Sequence, residues 1–151
     1  MTIYFAADHA GFRLKEALKK YAVRLGCRVI DAGAFALNQN DDYPDFIFPA
    51  VRAAQRSGGR AVVIGGSGIG ECIAANKVRG ARAATCYDAY TAKMSRKDND
   101  ANVLCLGGRT VTKNPILARK IFHLWLTTKF SGASRHKRRL LKISREEKTT
   151  V

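Results

Sequence analysis

Short apolar runs alternate with longer stretches of helical period along the whole chain, and this alternation restricts the fold more than any other feature. Residues 2–7 (TIYFAA), 27–32 (CRVIDA), 60–64 (RAVVI), 81–86 and 102–106 read as strands. Residues 11–25, 45–56, 71–77, 89–98, 115–127 and 134–148 read as helices. In the first helix Leu14, Ala17, Leu18, Tyr21 and Leu25 share a face, and Gly26 stops it. A strand that is followed by a helix before the next strand is set up for parallel pairing, because a parallel pair needs a long crossover. The pattern therefore predicts an α/β fold: a five-stranded parallel sheet with helices on both faces. There is no repeat, linker or low-complexity segment, so residues 1–151 read as one domain, with 131–151 as a basic C-terminal helix or tail.

In such sheets ligands bind beyond the carboxyl ends of the strands. The polar residues follow that rule. Asp8 and His9 come after the first strand, residues 65–71 after the third, and residues 107–109, ending in Arg109, after the last. The run Gly65-Gly66-Ser67-Gly68-Ile69-Gly70 opens a helix, where glycines let backbone N–H groups approach an anion and the helix dipole adds positive charge. G-x-G-x-x-G fails because Glu71 stands where the last glycine is required, and the nucleotide phosphate loop fails because Glu71 and Cys72 follow Gly70. Glu71 itself fits a base that takes a carbon-bound proton and returns it to the neighbouring carbon. Ser67 and the loop amides would stabilise the oxyanion formed. The plain alternatives are a tight turn for the glycines, a dipole-favoured acid for Glu71, and a helix cap for Asp8.

Twenty-seven Lys and Arg against twelve Asp and Glu give a net charge of +15, of which residues 131–151 carry +5. Such a balance suits anionic partners, phosphate metabolites or nucleic acid. Aromatic residues are not interleaved with the basic ones in the tail, which argues against a base-stacking surface for nucleic acid. Cys27, Cys72, Cys86 and Cys105 stand singly, with no C-x-x-C and no zinc spacing to the histidines, and read as reduced thiols. The N-terminus has no basic lead-in and no apolar stretch spans a bilayer, so a cytoplasmic protein with no membrane segment is expected.

Four stretches make the reading specific: DHAG at 8–11, GGSGIGECIAANKVRGARAA at 65–84, NDANVLCLGGR at 99–109 and RHKRR at 135–139. In order and spacing, over about residues 1–143, they resemble ribose-5-phosphate isomerase type B, a family that includes the galactose-6-phosphate isomerase subunits. The resemblance implies a Rossmann-like three-layer α/β/α sandwich and a homodimer or dimer of dimers with sites between subunits. It implies no cofactor and no metal. It also implies that Asp8 and His9 contact sugar hydroxyls and that Tyr43 lines the pocket. Ser67 and the amides of Gly66, Gly68 and Gly70 would hold an enediolate, assisted by Asn99. Arg109, Arg135, His136 and Arg139 would bind phosphate, some of them from the other subunit.

Many members of that family carry a cysteine base where this chain has Gly65. Another branch has glycine there and a glutamate at the position of Glu71, and this sequence matches that branch. The family usually has a histidine before Asn99, credited with opening the sugar ring, whereas this chain has Asp98. Ring opening then falls to Asp98, to His9 or to the spontaneous reaction. The implied substrates are D-ribose 5-phosphate and D-ribulose 5-phosphate. A six-carbon phosphate such as allose or galactose 6-phosphate is the nearest alternative.

Overall fold

The computed structural model describes residues 1–111 and 114–149. Five strands, β1 (Thr2–Ala7), β2 (Arg28–Asp31), β3 (Arg60–Gly65), β4 (Ala83–Thr85) and β5 (Val103–Gly107), form one sheet in the order β2-β1-β3-β5-β4, with every pairing parallel. The helices are α1 (Phe12–Arg24), α2 (Pro44–Ser57), α3 (Ile69–Ala75), α4 (Ala89–Asn99), α5 (Gly108–Val111), α6 (Pro115–Thr127) and α7 (Ser134–Thr149). The predicted parallel α/β sandwich is the fold observed.

Strand side chains alternate between two buried layers, as the period of two requires. Phe5, Val62, Ile64, Leu104 and Leu106 pack against Leu14 and Leu18 of α1, Ala92 of α4 and Ile121, Phe122 and Trp125 of α6. Ala6, Ala61, Val63, Val103 and Cys105 face the other way, onto Ile47, Ala50 and Val51 of α2 and Ala74 and Ala75 of α3. Helix starts have local causes. Asp88 and Thr91 form a reciprocal capping box on α4, and Asn114 accepts the Leu117 N–H ahead of Pro115 on α6.

Four details differ from the sequence expectation. Ala17 and Leu25 of α1 are exposed, while Lys15 is fully buried, its Nζ 2.8 Å from Asp31 Oδ1 at the end of β2. A buried cation is tolerated there because it is paired. Helix α3 begins at Ile69, two residues ahead of expectation, because Gly68 turns the chain at φ +80°. Strand β4 is three residues long, pairing only with β5, and the short α5 was not legible at all.

Candidate active site

The carboxyl ends of β1, β3 and β5 open into a cleft of about 430 Å³ lined by Asp8, His9, Tyr43, Ser67, Glu71 and Arg109, with the glycine-loop backbone between them. Its position follows from the strand order. The chain leaves β1 toward the β2 edge and leaves β3 toward the β5 side, so the loops diverge and leave a crevice. Close backbone packing brings the loops together: a Cβ at Gly108 would overlap the Ala10 carbonyl oxygen, and one at Gly107 would lie 2.7 Å from the Ser67 oxygen. Only a residue without a side chain lets three loops meet at such range.

Glu71 sits in the first turn of α3 and is 4% exposed. Its carboxylate lies against Gly65, where a Cβ would fall inside the carboxyl group itself. A side chain at 65 and a glutamate at 71 therefore compete for one volume. Burial pushes the Glu71 carboxyl above its ordinary range, and the neighbouring Asp8 charge adds to that; the N–H groups of Glu71 and Gly68 oppose it. Asp8 is itself buried, and its Oδ1 accepts the Gly11 N–H at 3.0 Å, so it also holds the turn into α1.

Cys72, the adjacent thiol, is absent from the lining of this cleft. Its pKa falls to about 6 through hydrogen bonding with the Cys105 thiol and with Thr85, against the opposing effect of burial. Cys105 belongs to the layer beneath α2 and α3, which places the Cys72 thiol towards β4 and β5.

The loop between β2 and α2 closes the cleft from the side. Tyr43 reaches over Gly70, with its ring 3.0 Å from where a Cβ would stand. Asp41 reaches His9: its Oδ1 accepts the His9 backbone N–H at 3.1 Å and lies 2.7 Å from Nδ1. Sequence reasoning missed Asp41. The only signal was the acidic pair Asp41-Asp42 directly before Tyr43-Pro44. Arg109 lies over Gly66, its guanidinium 3.4 Å from a Cβ built there, and the Arg109 backbone N–H donates to the Gly66 carbonyl at 3.0 Å. A second hollow, lined by His9, Arg13, Gln39 and Arg109 among others, adjoins the first.

The remaining sequence-derived residues are elsewhere. Helix α4 starts after β4 and runs back along the sheet, so Asp98 and Asn99 at its end return to the amino edge. Arg82, leading into β4, donates from Nε to the Asn99 carbonyl at 3.2 Å, which fixes that location. A helix of this length spans about 16 Å. Helix α7 joins the same edge. His136 is 3% exposed, with Nδ1 2.9 Å from Ser131 Oγ and 3.5 Å from Asp98 Oδ1, and its Nε2 accepts from Arg135 Nε at 3.0 Å. Arg135 and Arg139 are exposed. Within one chain, then, Asp98, Asn99, Arg135, His136 and Arg139 do not meet Glu71.

Among the described residues no group of three or more His, Cys, Asp or Glu is placed to hold a metal ion, and no helix is long and apolar enough to cross a membrane. A family model described as Ribose/Galactose Isomerase matches residues 3–143. Ribose-5-phosphate isomerase B of Mycobacterium tuberculosis is 41% identical over 150 residues, covering 99% of this chain and 91% of the relative. The structure of Clostridium thermocellum ribose-5-phosphate isomerase B superposes with a TM-score of 0.94 at 42% identity over 100% of both chains. That of Mycoplasma genitalium ribose-5-phosphate isomerase B, with bound ribulose-5-phosphate, gives 0.92 at 38% identity over 97% of this chain and 96% of that one. Likeness of sequence and fold thus runs nearly end to end, and the chain belongs to the ribose/galactose isomerase family.

Proposed function

We propose that this chain interconverts D-ribose 5-phosphate and D-ribulose 5-phosphate, with Glu71 as the base. The observation that carries the reading is the buried Glu71 carboxylate on Gly65, its proton affinity raised by desolvation, at the floor of a cleft built from three strand ends. A base of this kind is suited to abstracting a weakly acidic carbon-bound proton. Glu71 removes the proton from C2 of the open-chain aldose, and the electron pair moves to make a cis-enediolate. The same carboxyl group returns the proton to C1, while the O2 hydroxyl proton passes to O1, leaving the ketose. Ser67 and the amides of Gly66, Gly68 and Gly70 stabilise the developing oxyanion, with Asp8 and His9 on the sugar hydroxyls and Arg109 on the phosphate. The relative solved with ribulose-5-phosphate supports the substrate class.

The working unit in this reading is a homodimer or dimer of dimers, each subunit a single isomerase domain over 1–151 whose 131–151 tail meets its neighbour. The support is topological: Asp98, Asn99, Arg135, His136 and Arg139 lie at the amino edge, away from Glu71 of their own chain, so a role at a Glu71 cleft requires a second copy. From there the tail arginines would add charge-assisted contacts to phosphate. Cytoplasmic placement belongs to the same reading and is supported by four free thiols. No cofactor is invoked, because base, oxyanion donors and cations are all protein groups.

The test is turnover of ribose 5-phosphate in deuterated water, followed by NMR. Formation of ribulose 5-phosphate carrying deuterium at C1 supports proton transfer through an enediolate. Turnover confined to allose or galactose 6-phosphate would move the substrate to six carbons, and no turnover of any aldose phosphate would overturn the reading.

A further inference from the structure

We propose that Asp41 is a positioning residue that fixes the tautomer and orientation of His9, leaving Nε2 as the ring nitrogen that meets substrate oxygen. The proposal rests on the isomerase reading for its kinetic consequence but not for its geometry. One carboxylate oxygen, Asp41 Oδ1, holds both the His9 backbone N–H at 3.1 Å and the Nδ1 atom at 2.7 Å. A carboxylate oxygen only accepts, so Nδ1 carries the proton and Nε2 does not owe its hydrogen to this contact. The two bonds fix main chain and ring together, removing rotation about the side-chain torsions that would otherwise let the imidazole leave the cleft.

The surroundings make this more than a surface contact. The Asp41 side chain is 5% exposed against 28% for His9. The second oxygen, Oδ2, is buried without a hydrogen-bond partner among the described residues. Burying a carboxylate half-satisfied is costly. Among the described residues its partner group is His9, whose ring borders both the Glu71 cleft and the hollow holding Arg13 and Arg109. Asp41 also lies two residues ahead of Tyr43, so one loop both orients the imidazole and lays the tyrosine ring over Gly70.

Two measurements on the full chain test this. The first is nitrogen-15 NMR of the imidazoles, with His9 assigned by loss of its signals in His9→Gln. The neutral ring should be the Nδ1–H tautomer in the unmodified protein and shift towards Nε2–H in Asp41→Asn. A His9 already in the Nε2–H form would overturn the proposal, whatever the reaction. The second is a kinetic cycle on ribose 5-phosphate. Asp41→Asn should lower kcat/KM about tenfold or more in the unmodified background, and less than twofold when His9 is already Gln, since the residue acts through the imidazole. Equal losses in both backgrounds would mean that Asp41 merely supports the loop. If the unmodified chain turns over no sugar phosphate, the isomerase reading fails and the tautomer measurement alone decides Asp41.

Discussion

The two edges of the sheet are built on different terms. At the carboxyl edge, glycines at 65, 66, 70 and 108 remove side-chain volume so that Glu71, Arg109, Tyr43 and the Ala10 carbonyl can occupy it, and the carboxylates of Asp8 and Glu71 are drawn out of water. At the amino edge, α7 lays a row of cations over the end of α4, with Arg135 and Arg139 left exposed and one histidine packed beneath them. The first edge is preorganised by its own chain. The second sets its cations beside a more apolar hollow between α4 and α7, lined by Met94, Asn99, Leu140 and Ile143 among others. Desolvated groups can be tuned for proton transfer, whereas exposed cations supply attraction that salt screens, so in the proposed reaction the division separates chemistry from capture.

The sharpest way to break this division is at Glu71. Glu71→Gln keeps the shape and removes the proposed base, so kcat should fall by at least about a thousandfold while KM stays within tenfold. Cys72→Ala, outside the cleft lining, should keep most activity. The reverse outcome would move the base to the thiol. Next in size, Gly108→Ala pushes a Cβ into the Ala10 carbonyl oxygen. It should cost about 3 kcal/mol and lower Tm by about 6–12 °C. Calorimetry that finds no shift would show that the loops do not rely on that approach.

The amino edge predicts a smaller and different loss. Replacing Arg135 and Arg139 by alanine should raise KM about tenfold, with kcat nearly unchanged and the effect shrinking as salt rises. A matching fall in kcat would mean that these arginines act on the reacting centre. Smallest is Asp88→Ala, which removes the capping box of α4 and should lower the chemical-denaturation midpoint slightly without changing kcat or KM.

Titration separates the edges once more. The folded Glu71 carboxyl binds its proton more tightly than the ordinary value of 4.5, so the unmodified protein is penalised as pH rises through the folded pKa. Glu71→Gln should therefore be more stable than the unmodified protein at neutral pH, with the advantage vanishing below the ordinary glutamate range. Equal stability of the two at neutral pH would contradict the burial argument. Such a cost, borne by the fold at the proposed base, is common where activity needs a destabilised site.

Local periodicity made much of this legible. The strand at 60–64, the helix stop at Gly26 and the helix start at Pro115 follow from neighbouring residues alone, and so did the parallel sheet and the glycine run ending at Glu71. Expectations slipped where a distant partner decided the outcome. Lys15 is buried because Asp31 waits at the end of another strand, and α3 starts early because Gly68 turns where its Cβ would strike the Leu106 backbone. Within one chain, α4 runs back along the sheet and sets Asp98 and Asn99 at the edge away from Glu71, a placement that depends on the packing of α4. Pattern determined which residues form strands, helices and the glycine loop, because those choices depend on side chains a few positions apart. Only the tertiary structure decided the strand order, the exclusion between Gly65 and Glu71, and the clasp of Asp41 on His9, because each depends on atoms that chain folding alone brings into contact.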